Sequence, residues 1–403
     1  LGGLNVNATS GDGAGTITFS NDIGDSSAGV KGTTAVGNSA TAGIVFSEDT
    51  YTFDTGATTF TVVSSGDFDL NKGAATTFTT DGTAITFAGG EIDLADGSDL
   101  VIDTGAGAGA ITTGEIGGTS VETVTIDAGT GATSVGVIGT GTEIGTLSIG
   151  SSDNGGITLN GAITTDGVIT IDGPITLATT AITITTADDN INLQGTVDGG
   201  KALTLASGSG AVTVDGAIGG STALTSLTVN SSGAGTVEIN NIGTSSAAGV
   251  TGATAIGNTN TGTLTLDGTV YTTNAATYTA ATGGGNIDIT GAATFTTSAD
   301  NIAFNTSGVD LGANVAITTG TGTDAGTVSF GGAIEAGTAG QETLTIDSGA
   351  GNVTFTGAIG LTNALGGLNV NATSGDGAGT ITFSNDIGDS SAGVKGTTAV
   401  GNS

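Results

Sequence analysis

A parallel β-solenoid is the fold class that this sequence predicts, an all-β chain wound from short strands. Three observations carry the prediction: a long internal tandem repeat, a short phrase that returns once per expected coil, and a composition of Gly, Thr, Val and Ile with little aromatic material.

The tandem repeat comes first. Residues 1–39, LGGLNVNATSGDGAGTITFSNDIGDSSAGVKGTTAVGNS, recur without a substitution at 365–403, so that Leu365 restarts what Leu1 began. A degenerate level lies inside that period. LTVNSSGAGTVEINNIGTSSAAGVTGATAIGNT from Leu227 matches the stretch from Leu4, and GDFDLNKGAATTFTTDGTAITF at Gly66 matches GNIDITGAATFTTSADNIAF at Gly285. The expected organisation is a long module at 1–146, a short one at 147–226, a diverged long one at 227–364, and the start of the next period at 365–403.

The single turn of the coil is the third level. GGITLNGAI at Gly155, GAVTVDGAIGG at Gly210, GTVEINNIG at Gly235, GTVSFGGAI at Gly326 and GNVTFTGAIG at Gly351 are variants of one phrase. The spacing from Val212 to Val237 equals that from Val328 to Val353, and the spacing from Ile191 to Val212 is slightly shorter. Roughly 20–25 residues is the length of one coil of a parallel β-helix. In GNVTFTGAIG, alternation sets Val353 and Phe355 on the inner face and Thr354 and Thr356 on the outer. Gly, Asn and Asp between the strands supply the turns, as in Ser151–Gly156 and Asp188-Asp189-Asn190. A helix is disfavoured because Gly costs about 1 kcal/mol per interior site and Thr and Val are weak helix formers. Stacked β-sandwiches would need longer strands and more aromatic core.

Composition narrows the function classes. Acidic residues number 37 against 4 basic ones, Lys31, Lys72, Lys201 and Lys395, for a net charge of −33. Phosphate recognition depends on Lys and Arg, so nucleic acid is not an expected partner, and anionic membrane surfaces are disfavoured likewise. No apolar run is long enough for a membrane-spanning helix, and a secretion signal is expected outside these residues. Disorder is opposed by a 36% apolar content, a mean hydropathy of +0.26 and a single proline, Pro174.

The phrases GAVTVDGAIGGSTALTSLTVNSSGAGTVEINNIG and GNVTFTGAIGLTNALGGLNVNATSGDGAGTITF resemble the β-strand repeats of giant bacterial surface proteins, of the filamentous-haemagglutinin and autotransporter-passenger type. The resemblance implies a right-handed parallel β-helix, export to the cell surface, and roles in adhesion, sheaths, matrix or filaments. The secretion-domain motifs of that group are not found in this stretch.

The residue inventory opposes catalysis. His, Cys and Arg are absent from the sequence, so Ser/His/Asp and Cys/His systems cannot be assembled, and the protein is expected not to be an enzyme. Asp22, Asp25, Asp96 and Asp99 sit in turn-like contexts, where a solvated turn is the simplest role. No organic cofactor is implied. Calcium is the ion that abundant carboxylate oxygens would suit, with Asp153, Asn154, Asp188, Asp189 and Asn190 as candidate ligands against a background of diffuse counter-ions. Neither the calcium-binding β-roll nonapeptide nor an EF-hand loop is present. Threonine runs such as Ile182-Thr183-Ile184-Thr185-Thr186 raise ice binding, but that needs the same Thr-x-Thr at the same point of every coil, and with the coil phrase drifting in spacing ordinary outward-facing strand threonine is the expected role. The expected function is structural: an extracellular filament, sheath or matrix fibre whose main partner is itself, with other surface or matrix polymers as further partners. An adhesin stalk is the alternative.

Overall fold

The computed structural model describes residues 1–9, 13–25, 28–139, 141–151, 155–229, 234–371, 379–389 and 392–401. Among them every regular element is a β-strand of two to six residues. The chain forms two compact units, Leu1–Gly195 and Thr196–Ser403. Each unit is a β-solenoid.

In the first unit one coil runs through Gly43–Phe46, Thr50–Phe53 and Thr58–Thr61. The next strand, Asp67–Leu70, returns beside the first in parallel, Gly43 against Asp67 and Phe46 against Leu70. Three strands therefore make a three-sided coil, and parallel sheets grow along its sides. Strict alternation follows: in Thr50–Phe53, Tyr51 and Phe53 are buried while Thr50 and Thr52 face outward. Parallel register then stacks like on like, so that Leu100, Val124, Leu147, Ile169 and Ile191 form one inward column.

Coil length varies more widely than the phrase spacing predicts. Ile157 pairs with Ile175 across a short coil, whereas Leu4 pairs with Thr34 across one more than half as long again. Pairing is specified by the strands alone, because slipping one residue would turn every apolar side chain outward. Additional residues go into the corners.

Those corners are tight. A Cβ at Gly90 would collide with the Gly66 carbonyl oxygen in the coil before it, so only glycine lets the two backbones approach there.

The second unit repeats the three-sided plan. Thr254–Ile256, Thr263–Leu266 and Val270–Thr272 make one coil, and Ala276–Thr279 returns beside the first strand. Val353 and Phe355 are buried, Thr354 is half-buried and Thr356 exposed, as alternation requires. Phe304, Phe330, Phe355 and Phe383 stack face to face through successive coils, with centroid separations of 4.8, 5.5 and 4.9 Å. Ahead of that stack Tyr271, Tyr278, Phe295 and Phe304 form a cluster of mixed stacked and edge-on contacts, and the first unit gathers Phe46, Tyr51, Phe60, Phe78 and Phe87 in the same way. Beyond Phe87 its core is aliphatic, from Ile92 to Leu193.

Residues 147–226, one module of the sequence, contribute to both units. No helix among the described residues is long and apolar enough to cross a membrane.

Candidate functional site

Polar side chains at the corners join one coil to the next. The Asp22 carboxylate accepts the Thr50 amide at 3.1 Å, and Asp99 accepts both the amide and the hydroxyl of Thr123 at 2.7 and 2.9 Å. Asp198 takes the amides of Ser221 and Thr222, each at 2.8 Å. Elsewhere in the second unit, which also holds Asp198, the same task falls to neutral Asn241, which accepts from Thr269 and Val270 at 2.8 and 2.9 Å. Asn301 and Asn352 do likewise for Thr327 and Thr380. Each bond satisfies a corner amide that no strand pairing reaches. Asp25 instead caps its own turn by accepting the Ala28 amide at 2.9 Å, and Asp96 lies in the turn closed by Ser98 and Ala95. Of the four aspartates expected in turns, Asp96 lies in one, whereas Asp22 and Asp99 sit just ahead of paired segments and bond to the next coil.

Tyr51 and Tyr271 perform one further joining role in the two long modules. The Tyr271 hydroxyl accepts the Gly268 amide at 2.9 Å and donates to the Ile239 carbonyl in the preceding coil at 3.0 Å. Tyr51 accepts from Glu48 and donates to Phe19 in the same manner. Burial pushes the Tyr51 phenol up to about 12 and raises that of Tyr271 further.

Buried glutamates recur as well. ETVTID at Glu122 and ETLTID at Glu342 are matching phrases. Glu122 accepts the Thr119 amide at 2.6 Å, the Thr119 hydroxyl and the Gly97 amide. Burial by itself would raise its pKa, but these hydrogen bonds outweigh it and hold the carboxyl below the usual range. Glu342 accepts the Thr338 amide at 3.0 Å in the corresponding place.

The outward faces differ sharply in charge. On one side of the first unit Asp67, Glu91 and Glu115 lie in a column, with Asp69 beside Asp93. Neighbouring strands are about 4.8 Å apart, so these like charges are held close. Burial first, and then the adjoining carboxylates, raises the pKa of Asp69, Glu91 and Asp93. The second unit carries a similar column, Asp288, Asp310 and Glu335. Asp288 is raised by burial and by Asp310, while Glu335 is held by the amides of Leu361, Thr362 and Asn363 at 2.8–3.1 Å. The one ion pair among the described residues joins Lys72 to Glu48 at 2.5 Å.

A second side of the first unit carries no charge. Thr59, Thr86, Thr112, Ser134, Thr158 and Thr176 stand in one unbroken outward column. The column is one threonine or serine wide, since Ala88, Gly114, Gly136, Asn160 and Ala178 stand two residues on, so the Thr-x-Thr pair does not recur from coil to coil. The turns absorb the drift, and the register stays intact from coil to coil.

Of the expected calcium ligands, Asp153 and Asn154 lie outside the described residues. Asp188, Asp189 and Asn190 form an exposed turn, in which the Asp189 carbonyl accepts the Thr186 hydroxyl at 2.5 Å and the Asn190 carbonyl accepts the Ile169 amide at 3.0 Å. No group of three or more carboxylates close enough to hold a metal ion occurs among the described residues. The concavities are open corner grooves, such as one of about 550 Å³ lined by Lys31, Thr52, Asp54, Thr79 and Asp81. The matching corner of the second unit, lined by Ser246, Thr272, Asn274, Thr296 and Ser298, lacks those charges.

Comparison of the chain with protein families, with curated proteins and with solved structures finds no match.

Proposed function

We propose that this chain is structural extracellular material, a β-solenoid segment that builds a surface filament, sheath or matrix fibre through coil stacking and self-assembly, and that it is not an enzyme. One observation carries the reading. The second copy of the repeat enters the solenoid as an ordinary coil, with Gly367–Val370 paired to Thr343–Ser348 on one side and to Thr398–Val400 on the other. A tandem array can therefore lengthen coil by coil with one kind of contact, the strand pairing it already uses. The polar side chains serve the same end, since Asp22, Asp99, Asn241 and Tyr271 are occupied in holding coils together.

The test is immunogold electron microscopy of intact producing cells with antibody raised to the chain, followed by protease shaving. Label distributed along surface fibres and removed by shaving supports the proposal. Label confined to the cytoplasm refutes it, and label along single stalks that end in a separate head moves the assignment to an adhesin stalk.

A further inference from the structure

We propose that the uncharged side of the first unit is a lateral docking face for the same face of a second copy of this chain. The proposal rests on the self-assembling role above and specifies the surface that would carry it.

The Thr59–Thr176 column is flanked by two further columns of mostly small residues. On one side run Ala57, Ala84, Ala110, Ala132, Gly156 and Pro174, each immediately before its strand and each accepting an amide from the preceding coil. On the other run Ala88, Gly114, Gly136, Asn160 and Ala178. None of these residues is charged. In a chain of net charge −33 this is unusual, and the carboxylate column from Asp67 to Glu115 lies on a different side of the same coils. Two copies approaching by their carboxylate sides bring like charges together, whereas approach by the threonine sides meets no such repulsion. Small side chains on a regular pleat also let two sheets interdigitate closely, as in dry sheet-on-sheet contacts.

Size determines how the contact would behave. Six coils at about 4.8 Å and four residues at about 3.3 Å give a face of roughly 29 by 13 Å, on the order of 400 Å². A stable dimer buries about 800 Å² per partner, so one face alone gives a weak contact. An array repeats the face once per period, and linked weak contacts gain affinity by effective concentration.

The experiment is sedimentation of the 403-residue chain and of a chain carrying the 1–364 period three times in tandem, each as wild type and with Thr112→Lys and Thr158→Lys together. Thr170→Lys, on another outward side, is the control for added charge, and circular dichroism checks that all variants fold alike. The expected result is association that tightens roughly a hundredfold or more from one period to three, is lost in the double lysine variant, and persists with Thr170→Lys. Association of the double variant equal to wild type overturns the docking face while leaving the self-assembling role intact. Monomeric behaviour of every chain overturns both. Chains that stay monomeric yet inhibit ice recrystallisation, with the inhibition lost in the double variant, would assign the face to an ice surface instead.

Discussion

Thr34–Val36 and Thr398–Val400 have the same sequence and follow identical stretches, 1–33 and 365–397, yet within these 403 residues they are covered to different extents. Thr34–Val36 pairs with Leu4–Val6 on one side and Thr58–Thr61 on the other, and Val36 is fully buried. Thr398–Val400 is paired on one side only, to Gly367–Val370, and Val400 is 42% exposed. The inverse holds at the other strand of the repeat: Leu4–Val6 is half-exposed, and its copy at Leu368–Val370, paired on both sides, is buried or nearly so. Sequence thus encodes which way a side chain points. Neighbouring coils provide the burial.

The sharpest break of this comparison is one substitution made in both copies. Val36→Asp places an unpaired charge in the core and is expected to cost about 3–5 kcal/mol, whereas Val400→Asp should cost less than about 1 kcal/mol. Urea denaturation of the two single variants measures the gap, and equal costs would mean that the two strands are equivalently covered.

Rings give the next largest effect. Phe330 stacks on both Phe304 and Phe355, while Phe383 stacks on Phe355 alone. Phe330→Ala is expected to cost about 3–5 kcal/mol and Phe383→Ala about half of that, read as shifts in denaturation midpoint.

Which side of the end coil is covered can be resolved with glycine. A Cβ at Gly396 would collide with the Gly366 carbonyl oxygen in the coil before it. Gly396→Ala should therefore destabilise by about 1–3 kcal/mol through overpacking, although the nearby Val400→Ala should cost less. Similar small effects at both positions would show that the preceding coil does not hold the end coil closely.

The smallest effect concerns pH. Asp69, Glu91, Asp93 and Asp288 have folded-state pKa values raised mainly by burial, so the folded state holds their protons more tightly than the unfolded state does. Their contribution is present below the ordinary carboxylate pKa and is lost as pH rises through the raised values. Glu122, lowered by its hydrogen bonds, acts in the opposite direction. Asp93→Asn should flatten the stability profile between neutrality and mild acid, and thermal melts across that range would detect it.

Much of the fold is legible in the sequence. Alternation in GNVTFTGAIG correctly directs Val353 and Phe355 inward, and the recurring phrase locates the strands. The candidate surfaces are harder to read, because a surface depends on register between coils. Register is set by strands whose separation along the chain is uneven, short from Ile157 to Ile175 and long from Leu4 to Thr34. Phrase spacing alone therefore does not align the threonine column. A signal for the carboxylate column does exist: SGDFDL at Ser65 and GGEIDL at Gly89 occupy matching places in successive coils and align Asp69 with Asp93. The roles of Tyr51 and Tyr271 have no sequence signature beyond their matching positions, since a hydroxyl bond to the preceding coil requires knowledge of which carbonyl lies there.

Cysteine reactivity tests the central claim most directly, because the chain has no cysteine of its own. Val36→Cys and Val400→Cys would each be probed with a thiol reagent, the latter also in a chain that continues after Ser403 with the sequence of residues 40–88. Rapid labelling at position 400, slow labelling at 36, and protection of 400 once the following coils are added are the predicted results. Equal labelling at 36 and 400, or no protection on extension, would contradict the account that each coil is buried by its neighbours.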